Sequence, residues 1–305
     1  MHKFFVYLLL FVFFSCPLYS QNIIVQDSIT KQPIPYVSVG FVTTQTGVYA
    51  DEKGQFPVKA GTQIKLSCIG YENKIIDIDE ATHIILLKPI AYNIQGVSVA
   101  GNVKENMLGF YDLPRDNRNY YCGDAGMEYA LYIPNTLNKK VTLSKIILGL
   151  NSDGLRGVYK ESSYSVFRIN IYKVAENQEI GEVLNTKQLI YSSKILTDKT
   201  VLDVFDMRIP MDEDGIFIGI EYLGRQNRFD NITYDKTPLF YPLSPVLTLA
   251  KKSKNIPYIA YSKSAFHADG QWKKLAVDFS VYLLWLTNVY IKDDTIKYFR
   301  VNILC

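Results

Sequence analysis

The sequence predicts an all-β protein that consists of two β-sandwiches. Over residues 22–99, short apolar runs alternate with Gly, Pro, Asp and Asn, a spacing of turns that is typical of Greek-key sandwiches. The chain has 23 Tyr and 16 Phe, and aromatic residues are enriched in strands. Apolar residues at helical spacing do not extend over the length of a helix. The 305 residues suffice for about two domains of ~150 residues each.

The first twenty residues have the pattern of a secretion signal. Lys3 gives a basic start, the run 4–14 is apolar without interruption, and Ser20 is a small residue at the end. A run of this length is too short to span a bilayer and fits a signal-peptide core. We therefore predict cleavage after Ser20 and export to the periplasm, the outer membrane or the cell surface. Lipidation at Cys16 is the alternative, which the large Phe13 disfavours.

We predict a first domain over residues 21–100 with seven short strands. Apolar residues alternate with small or polar ones in the run 36–42, the period of a half-buried strand, and Gly47 is predicted to turn the chain after it. Gly54 supplies a positive φ in the next turn. Pro57 favours an edge strand because it cannot donate to a ladder. The seven strands are predicted at 23–26, 36–42, 55–58, 64–69, 74–78, 83–87 and 97–99.

Several pieces of this domain occur in the order known from one family of modules. They are DSxTxxPIPYVSV at 27–39, DEKGQF at 51–56, SCIGYE at 67–72, LxP at 87–89 and GVSV at 96–99. Together they resemble the carboxypeptidase regulatory-like domain, although Cys68 stands where the family more often has an aromatic residue. The resemblance implies a transthyretin-like Greek-key sandwich, common at the N-terminus of Bacteroidetes envelope proteins. It also implies a binding or scaffolding unit without chemistry of its own.

The rest of the chain predicts a connector and a second β-domain. Residues 101–126 are polar and rich in turns, so we predict a connector there that leads to the first edge of a domain over 127–305. The clearest strands are at 141–150, 164–174, 201–209 and 216–223, with later ones at 275–285 and 298–304. FRINIY at 167–172 and DGIFIGIE at 214–221 resemble the region that follows the regulatory-like module in many envelope proteins. We expect a larger, jelly-roll-like sandwich.

Three cysteines remain after the signal, and their odd number gives no simple disulfide framework. Cys68 lies within a strand pattern and is predicted to be a small buried hydrophobic residue. Pairing of Cys122 with Cys305 is left open by the sequence.

The sequence lacks the pattern of a hydrolase site. A zinc carboxypeptidase site needs two His and a carboxylate on the metal plus a general-base Glu. His83 lies in a strand run without a Glu at ligand spacing, and His267 lies in a polar loop. GVSVA at 96–100 is close to a nucleophile elbow, but that motif needs a strand–turn–helix context, and its Ser lies in a predicted strand. We expect a non-enzyme with no catalytic residue, no metal and no cofactor.

Two acidic features have structural interpretations. The segment 212–215 (DEDG) departs from the spacing of a calcium-binding EF-hand, so we interpret it as an acidic turn. Glu221 ends a buried-looking strand, where a carboxylate needs a partner. Arg168 is the predicted partner in a structural ion pair.

The predicted binding site is the loop that contains His267, Asp269 and Trp272. Loops at the end of a sandwich carry side chains that are free of the core, and this loop combines an acid, a glycine and an aromatic residue. Other aromatic residues, such as Tyr120, Tyr121, Tyr258 and Tyr261, fit a sugar-stacking surface as well as core or interface packing, and packing is the preferred interpretation.

The leading functional prediction is an exported, non-enzymatic cell-envelope protein that binds or scaffolds an envelope protein or a glycan. The formal net charge of +3, with scattered Lys and Arg, argues against a nucleic-acid partner, and no later run predicts a transmembrane span. The alternative is an accessory or cryptic hydrolase with its activity in the C-terminal domain. A third hypothesis is a lipid-anchored spacer.

Overall fold

A computed structural model describes the protein over residues 20–90, 104–108, 115–149, 164–192, 199–226, 232–233, 243–250, 259–267, 269–275 and 287–293. Residues 1–19 of the predicted signal peptide, with Cys16, lie outside these residues, as do the motif at 96–100, the predicted strand at 298–304 and most of the predicted strand at 275–285. The side chains of Cys122 and Cys305 are also outside the described part, so their pairing is not tested.

The protein is almost entirely β-structure. Strands account for 56% and helices for 4% of it, which confirms the all-β prediction. Within the ranges given above, none of the helices is long and apolar enough to cross a bilayer.

The N-terminal part is a sandwich of two sheets. Its strands are β1 Gln21–Asp27, β2 Ser38–Phe41, β3 Thr46–Tyr49, β4 Gln55–Val58, β5 Gln63–Ser67, β6 Lys74–Asp77 and β7 Ile84–Leu87. One sheet has the order β4-β1-β7 and the other β3-β2-β5-β6. Strand β1 is antiparallel to β4 and parallel to β7. Buried side chains from both sheets, among them Val25, Val39, Phe56 and Leu66, form one apolar core.

Most local predictions for this sandwich are confirmed. Gly54 has a φ of +71°, and a Cβ there would lie 2.8 Å from the carbonyl oxygen of Val25, so the turn requires glycine. Pro57 is on β4, an edge strand, and Cys68 is buried in the core. The prediction that Gly47 turns the chain was wrong, because Gly47 lies inside β3 and pairs with Gly40 on β2. The predicted strand at 97–99 is outside the described residues.

The range predicted as a connector contains two strands, β8 Lys104–Leu108 and β9 Arg115–Gly123. Both pair with strands late in the chain, β22 Thr287–Asp293 and β19 Leu243–Ala250 respectively. The polar composition of 101–126 therefore does not mark a simple linker, because strand pairing here comes from distant sequence. The proposed division into domains stays a prediction.

The remaining strands form a larger antiparallel assembly. They are β10 Met127–Ile133, β11 Val141–Gly149, β12 Tyr164–Val174, β13 Ile180–Val183, β14 Leu189–Ser192, β15 Lys199–Asp203, β16 Pro210–Met211, β17 Ile216–Gln226, β18 Ile232–Thr233, β20 Ala260–Ser264 and β21 Lys273–Lys274. An eight-stranded sheet has the path β13-β12-β17-β10-β20-β21, and a five-stranded sheet has the path β15-β11-β22-β8. The predicted strand at 201–209 is instead β15 followed by a short 3-10 helix at Phe205–Met207.

The eight-stranded sheet has two different faces. Phe167, Ile169 and Ile171 on β12 point into a core shared with the five-stranded sheet, which makes this part a second sandwich. Because side chains alternate along a strand, Arg168 and Asn170 face the other way. Jelly-roll connectivity stays a prediction, since residues between several strands lie outside the described part.

The N-terminal sandwich packs against this second face. Tyr49 of β3 joins Val166, Leu223 and Phe266 in a buried apolar cluster, and its ring centroid is 5.0 Å from that of Phe266. Gly40 allows the close approach, because a Cβ there would lie 2.4 Å from the carbonyl oxygen of Phe266. The interface places polar side chains of the eight-stranded sheet beneath the first sandwich.

Candidate functional site

Four charged side chains form a row across the eight-stranded sheet. Lys263 is opposite Glu128, Glu128 is opposite Glu221, and Glu221 is opposite Arg168 in the strand register. The row therefore runs cation, carboxylate, carboxylate, cation over four neighbouring strands. Glu128, Glu221 and Arg168 are only 1%, 3% and 3% exposed. Buried charges of this kind are stable only when each is paired and hydrogen-bonded.

Glu221 is held from both sandwiches. Arg168 Nη1 lies 3.1 Å from its Oε2, which confirms the ion pair predicted from the sequence. Asn170 Nδ2 donates to the same oxygen at 3.0 Å. The hydroxyl of Tyr49, from the N-terminal sandwich, donates to Oε1 at 2.7 Å. Both oxygens of this carboxylate are thus engaged.

Glu128 has an equivalent set of donors from the eight-stranded sheet. Its Oε1 accepts from Tyr172 Oη at 2.6 Å and from Asn170 Nδ2 at 2.7 Å, and Lys263 Nζ lies 3.0 Å from Oε2. Asn170 therefore bridges the two carboxylates. Gly219 makes room for Glu128, because a Cβ there would lie 2.5 Å from Oε1.

The pKa shifts agree with an ionised Glu221 and neutral tyrosine donors. Burial raises the pKa of Glu221, but the Arg168 guanidinium and the hydrogen bonds from Tyr49 and Asn170 lower it further, to below its ordinary value. Burial, followed by the nearby carboxylates, holds the pKa of Tyr49 and of Tyr172 well above the ordinary value of 10.0. Both tyrosines are therefore protonated donors at neutral pH.

Further hydrogen bonds join the two sandwiches around this row. Arg168 Nη2 donates to the carbonyl oxygen of Tyr36. Ser38 Oγ donates to the carbonyl oxygen of Ala265 at 3.0 Å, and Gln188 Nε2 donates to that of Pro35 at 2.9 Å. The charged row is thus part of the interface between the sandwiches.

A cavity of about 310 Å³ lies next to the row, between the two sandwiches. The first sandwich contributes Ser38, Lys65 and Tyr71 to its wall, and the second contributes His267 and Gly270 in addition to the charged row and Asn170. A cavity of this volume is at the lower end of the range of small-molecule sites.

Two polar atoms of residues that line the cavity have no hydrogen-bond partner among the described residues. They are Arg168 Nε and Asn170 Oδ1, and both are buried. Buried polar atoms are nearly always paired, so each of these two atoms calls for an explanation, such as a bound water.

The family of the first sandwich is decided by its sequence match. Residues 24–99 match the model of the CarboxypepD_reg-like domain. The N-terminal sandwich is a CarboxypepD_reg-like domain. This confirms the resemblance predicted from the sequence, and domains of this kind are non-catalytic β-sandwiches. No curated protein matches the chain.

The predicted binding residues have different relations to the cavity beside the CarboxypepD_reg-like domain. His267 is half-buried and lines the cavity. Trp272 does not line it, but its ring centroid is 4.2 Å from Lys263 Nζ and 5.4 Å from the ring of Tyr172. Asp269 is exposed, and its Oδ1 accepts from the backbone N–H of Gln271 at 3.4 Å. Of the three predicted residues, His267 therefore lines the cavity, and Trp272 contacts Lys263, a residue that lines it.

Sequence reasoning missed Glu128, Asn170, Tyr49 and Lys65. Asn170 could have been predicted from the sequence, because it lies two positions after Arg168 and therefore on the same face of β12. Glu128 had a weaker indication in the sequence, since it is the one carboxylate in the apolar run of β10. The contact of Tyr49, in the CarboxypepD_reg-like domain, could not be predicted from sequence pattern, since its partner Glu221 is 172 positions away.

His83 and the acidic segment 212–215 lie outside the cavity wall. His83 is exposed next to β7, and no group of three or more potential metal ligands occurs in the ranges that the structure describes. The acidic segment 212–215 forms a tight turn with Gly215 at a φ of +96°. Asp212 in this turn lies 3.3 Å from Lys140 and 3.5 Å from Lys173, which agrees with the acidic-turn interpretation.

Proposed function

We propose that this protein is an exported, non-enzymatic component of the cell envelope that binds a glycan between its two sandwiches. The observation that carries the proposal is the polar cavity of about 310 Å³, whose lining residues include Arg168 and Asn170, each with one buried polar atom that has no partner in the described part of the chain. A protein partner buries about 800 Å² per side in a typical interface. A small cavity between domains is instead the usual place for a small ligand, so a sugar unit fits better than a protein surface.

A cryptic hydrolase is the second candidate, because two carboxylates lie side by side in the cavity wall. Glycosidases do use two Asp or Glu residues, one of which protonates the leaving group. A general acid or base must however reach the substrate through a hydrogen bond. Here Asn170 bridges Glu128 and Glu221, and Tyr172, Lys263, Tyr49 and Arg168 occupy their oxygens. This arrangement favours a structural role and hence binding without hydrolysis.

Export is the first part of the proposal to test. We expect the mature chain to begin at Gln21, because the apolar run 4–14 is followed by a short polar-leaning segment that ends in the small residue Ser20. Intact-mass measurement of the protein from an envelope fraction checks this. A mature chain that still begins at Met1 contradicts export, and one that begins at an acylated Cys16 favours the lipid-anchored alternative.

Replacement of Trp272 by alanine is expected to weaken ligand binding. The ring does not line the cavity but lies against the ammonium of Lys263, which does, so its removal allows Lys263 to move within the wall. We expect a loss of affinity of about three- to ten-fold, which corresponds to roughly 0.6–1.4 kcal/mol. A glycan array identifies the ligand, and calorimetry on the wild type and the variant measures the change.

Two matched variants make this test specific. Trp272→Phe keeps an aromatic ring and is expected to retain most of the affinity. Asp269→Asn alters an exposed residue outside the cavity wall. Unchanged ligand affinity in this variant would exclude Asp269 from the binding site and leave His267 and the residues around Trp272. Unchanged binding in a folded Trp272→Ala protein removes this residue from the site. Hydrolysis of a glycoside or peptide panel overturns the non-enzymatic proposal.

A further inference from the structure

We propose that the ligand of the cavity is an oligosaccharide of two or more rings and that one of these rings stacks on Tyr71, and this inference rests on the proposed glycan-binding function. A second cavity, of about 370 Å³, also lies between the two sandwiches, because its wall contains Pro33 from the first and Thr186 from the second. Residues 69–71 and Ile90 line both cavities. The cavities are therefore neighbours with a common wall, and Tyr71 is the aromatic residue of that wall.

Tyr71 offers a ring surface that the other tyrosine of the first cavity, Tyr172, does not. Tyr172 is only 5% exposed, the Nζ of Lys263 lies 5.2 Å from its ring centroid, and Trp272 packs edge-on against it at 5.4 Å. Tyr71 is half-buried, and its ring makes no aromatic or cation–π contact within the described part of the chain. The ring packs against the core of the first sandwich, and its exposed part is available to a ligand.

The contacts of Tyr71 place its ring, and not only its backbone, in the wall of the second cavity. Its backbone pairs with Pro89, and its hydroxyl donates to Asp27 Oδ2 at 3.1 Å. Asp27 follows Gln26, which pairs with Pro33. The ring therefore extends from Pro89 toward Pro33, and both of these prolines line the second cavity.

Tyr71 is held in place before a ligand binds. Its acceptor Asp27 is itself fixed, because Asp27 Oδ1 accepts from the backbone N–H of Ile29 at 2.7 Å and of Thr30 at 2.9 Å. An aromatic side chain offers a large contact area and has few rotatable bonds. Since the hydrogen bond to Asp27 already restricts the ring, little conformational entropy is lost when a ligand stacks on it.

The surroundings of Tyr71 fit a sugar chain better than a single sugar ring. A pyranose has an apolar face of C–H groups, which matches an aromatic ring, and hydroxyls around its edge, which need polar partners. Asn73 and His267 line the first cavity, and Thr186 and Lys187 line the second, so polar residues lie on both sides of the ring. Each cavity alone is at the lower end of the volumes of ligand sites, and a chain that crosses Tyr71 uses both.

The first test is the dependence of affinity on the length of the sugar chain, measured on the full mature protein. A glycan array that carries chains of one to four rings identifies the bound sugar, and calorimetry with its one-, two- and three-ring forms gives the dissociation constants. We expect the two-ring form to bind at least about ten-fold more tightly than the one-ring form. Equal affinity for the two forms overturns the inference and leaves the glycan-binding proposal intact, whereas absence of binding to every glycan contradicts both.

Variants of Tyr71 separate stacking from stability. Tyr71→Phe keeps the ring and loses the hydrogen bond to Asp27, and we expect it to lower the affinity for the two-ring form by less than about three-fold. Tyr71→Leu also loses the ring, and we expect a loss of at least about ten-fold. Tyr191→Leu is the matched control, because Tyr191 is half-buried and lines neither cavity, and it is expected to leave the affinity unchanged.

Urea unfolding verifies that each variant is folded before its affinity is compared. Wild-type affinity in a folded Tyr71→Leu protein removes Tyr71 from the site. Equal losses in Tyr71→Phe and Tyr71→Leu assign the effect to the hydrogen bond with Asp27 and contradict stacking. The chain-length series uses the wild-type protein, so it tests the inference even where a variant does not fold.

A substitution in the second cavity tests whether the sugar chain reaches it. Thr186→Phe enlarges a residue that lines the second cavity and not the first. We expect the affinity for the one-ring form to stay the same and the gain from the second ring to fall at least about five-fold. Unchanged affinity for the two-ring form overturns the assignment of this ring to the second cavity.

Discussion

Replacement of Arg168 by methionine is expected to lower the free energy of unfolding by about 3–5 kcal/mol, since removal of one partner leaves a buried charge without compensation. Arg168 and Glu221 are each 3% exposed, so water does not take the place of the guanidinium. Arg168 also donates to the carbonyl oxygen of Tyr36 in the other sandwich, and this bond is lost as well. Chemical unfolding in urea, followed by circular dichroism, measures the change.

Two further variants separate the buried charge from other effects of the mutation. Lys173→Met removes a lysine from the same strand whose ion pair with Asp212 is partly exposed, with 48% and 34% of the two side chains accessible. We expect it to cost under about 1 kcal/mol. The double variant Arg168→Met/Glu221→Leu removes both charges and is expected to regain much of the lost stability, as in other replacements of buried pairs. Similar losses for Arg168→Met and Lys173→Met would contradict the argument.

The fold was predictable where it depends on local pattern. Turn residues such as Gly54 and Pro57 have conformational requirements that are readable from single positions, and the alternation along β12 separates its two faces. The strands in 101–126 were not predictable in this way. Strand β8 pairs with β22 and β9 pairs with β19, and such non-local pairing supplies the stability that the polar local sequence lacks.

The charged row was predictable only in part for the same reason. Arg168 and Glu221 are buried residues in strongly apolar strands, and a charge in such a strand requires a partner, so this pair could be proposed. Nothing in the sequence places Glu128 next to Glu221, because the register of β10 on β17 decides it. Tyr49 belongs to a different sandwich, and its contact depends on how the two sandwiches pack.

Replacement of Tyr49 by phenylalanine is expected to destabilise the protein by about 1.5–3 kcal/mol, the usual contribution of a hydrogen bond to a charged group. The hydroxyl donates to Glu221 Oε1 at 2.7 Å within the buried interface, and its removal leaves that oxygen without this donor. Tyr36→Phe is the matched control, because its hydroxyl donates at 3.0 Å to the exposed Glu52 and is expected to contribute under about 1 kcal/mol. Differential scanning calorimetry compares the three proteins, and separate transitions for the two sandwiches in Tyr49→Phe would show that the bond couples them.

The pH dependence tests whether the Tyr49 hydroxyl is buried and protonated in the folded protein. The pKa of Tyr49 is raised well above its ordinary value of 10.0 in the folded protein, through burial and the Glu221 charge. A group with a raised pKa in the folded state contributes stability that is fully present below its pKa in the unfolded chain, and this contribution is lost as the pH rises through the folded value. The stability difference between wild type and Tyr49→Phe should therefore be constant near neutral pH and shrink above about pH 10. A difference that is independent of pH up to the alkaline limit of folding would contradict the burial of this hydroxyl. A difference equal to that of Tyr36→Phe would show that the Tyr49 hydroxyl does not hold the two sandwiches together.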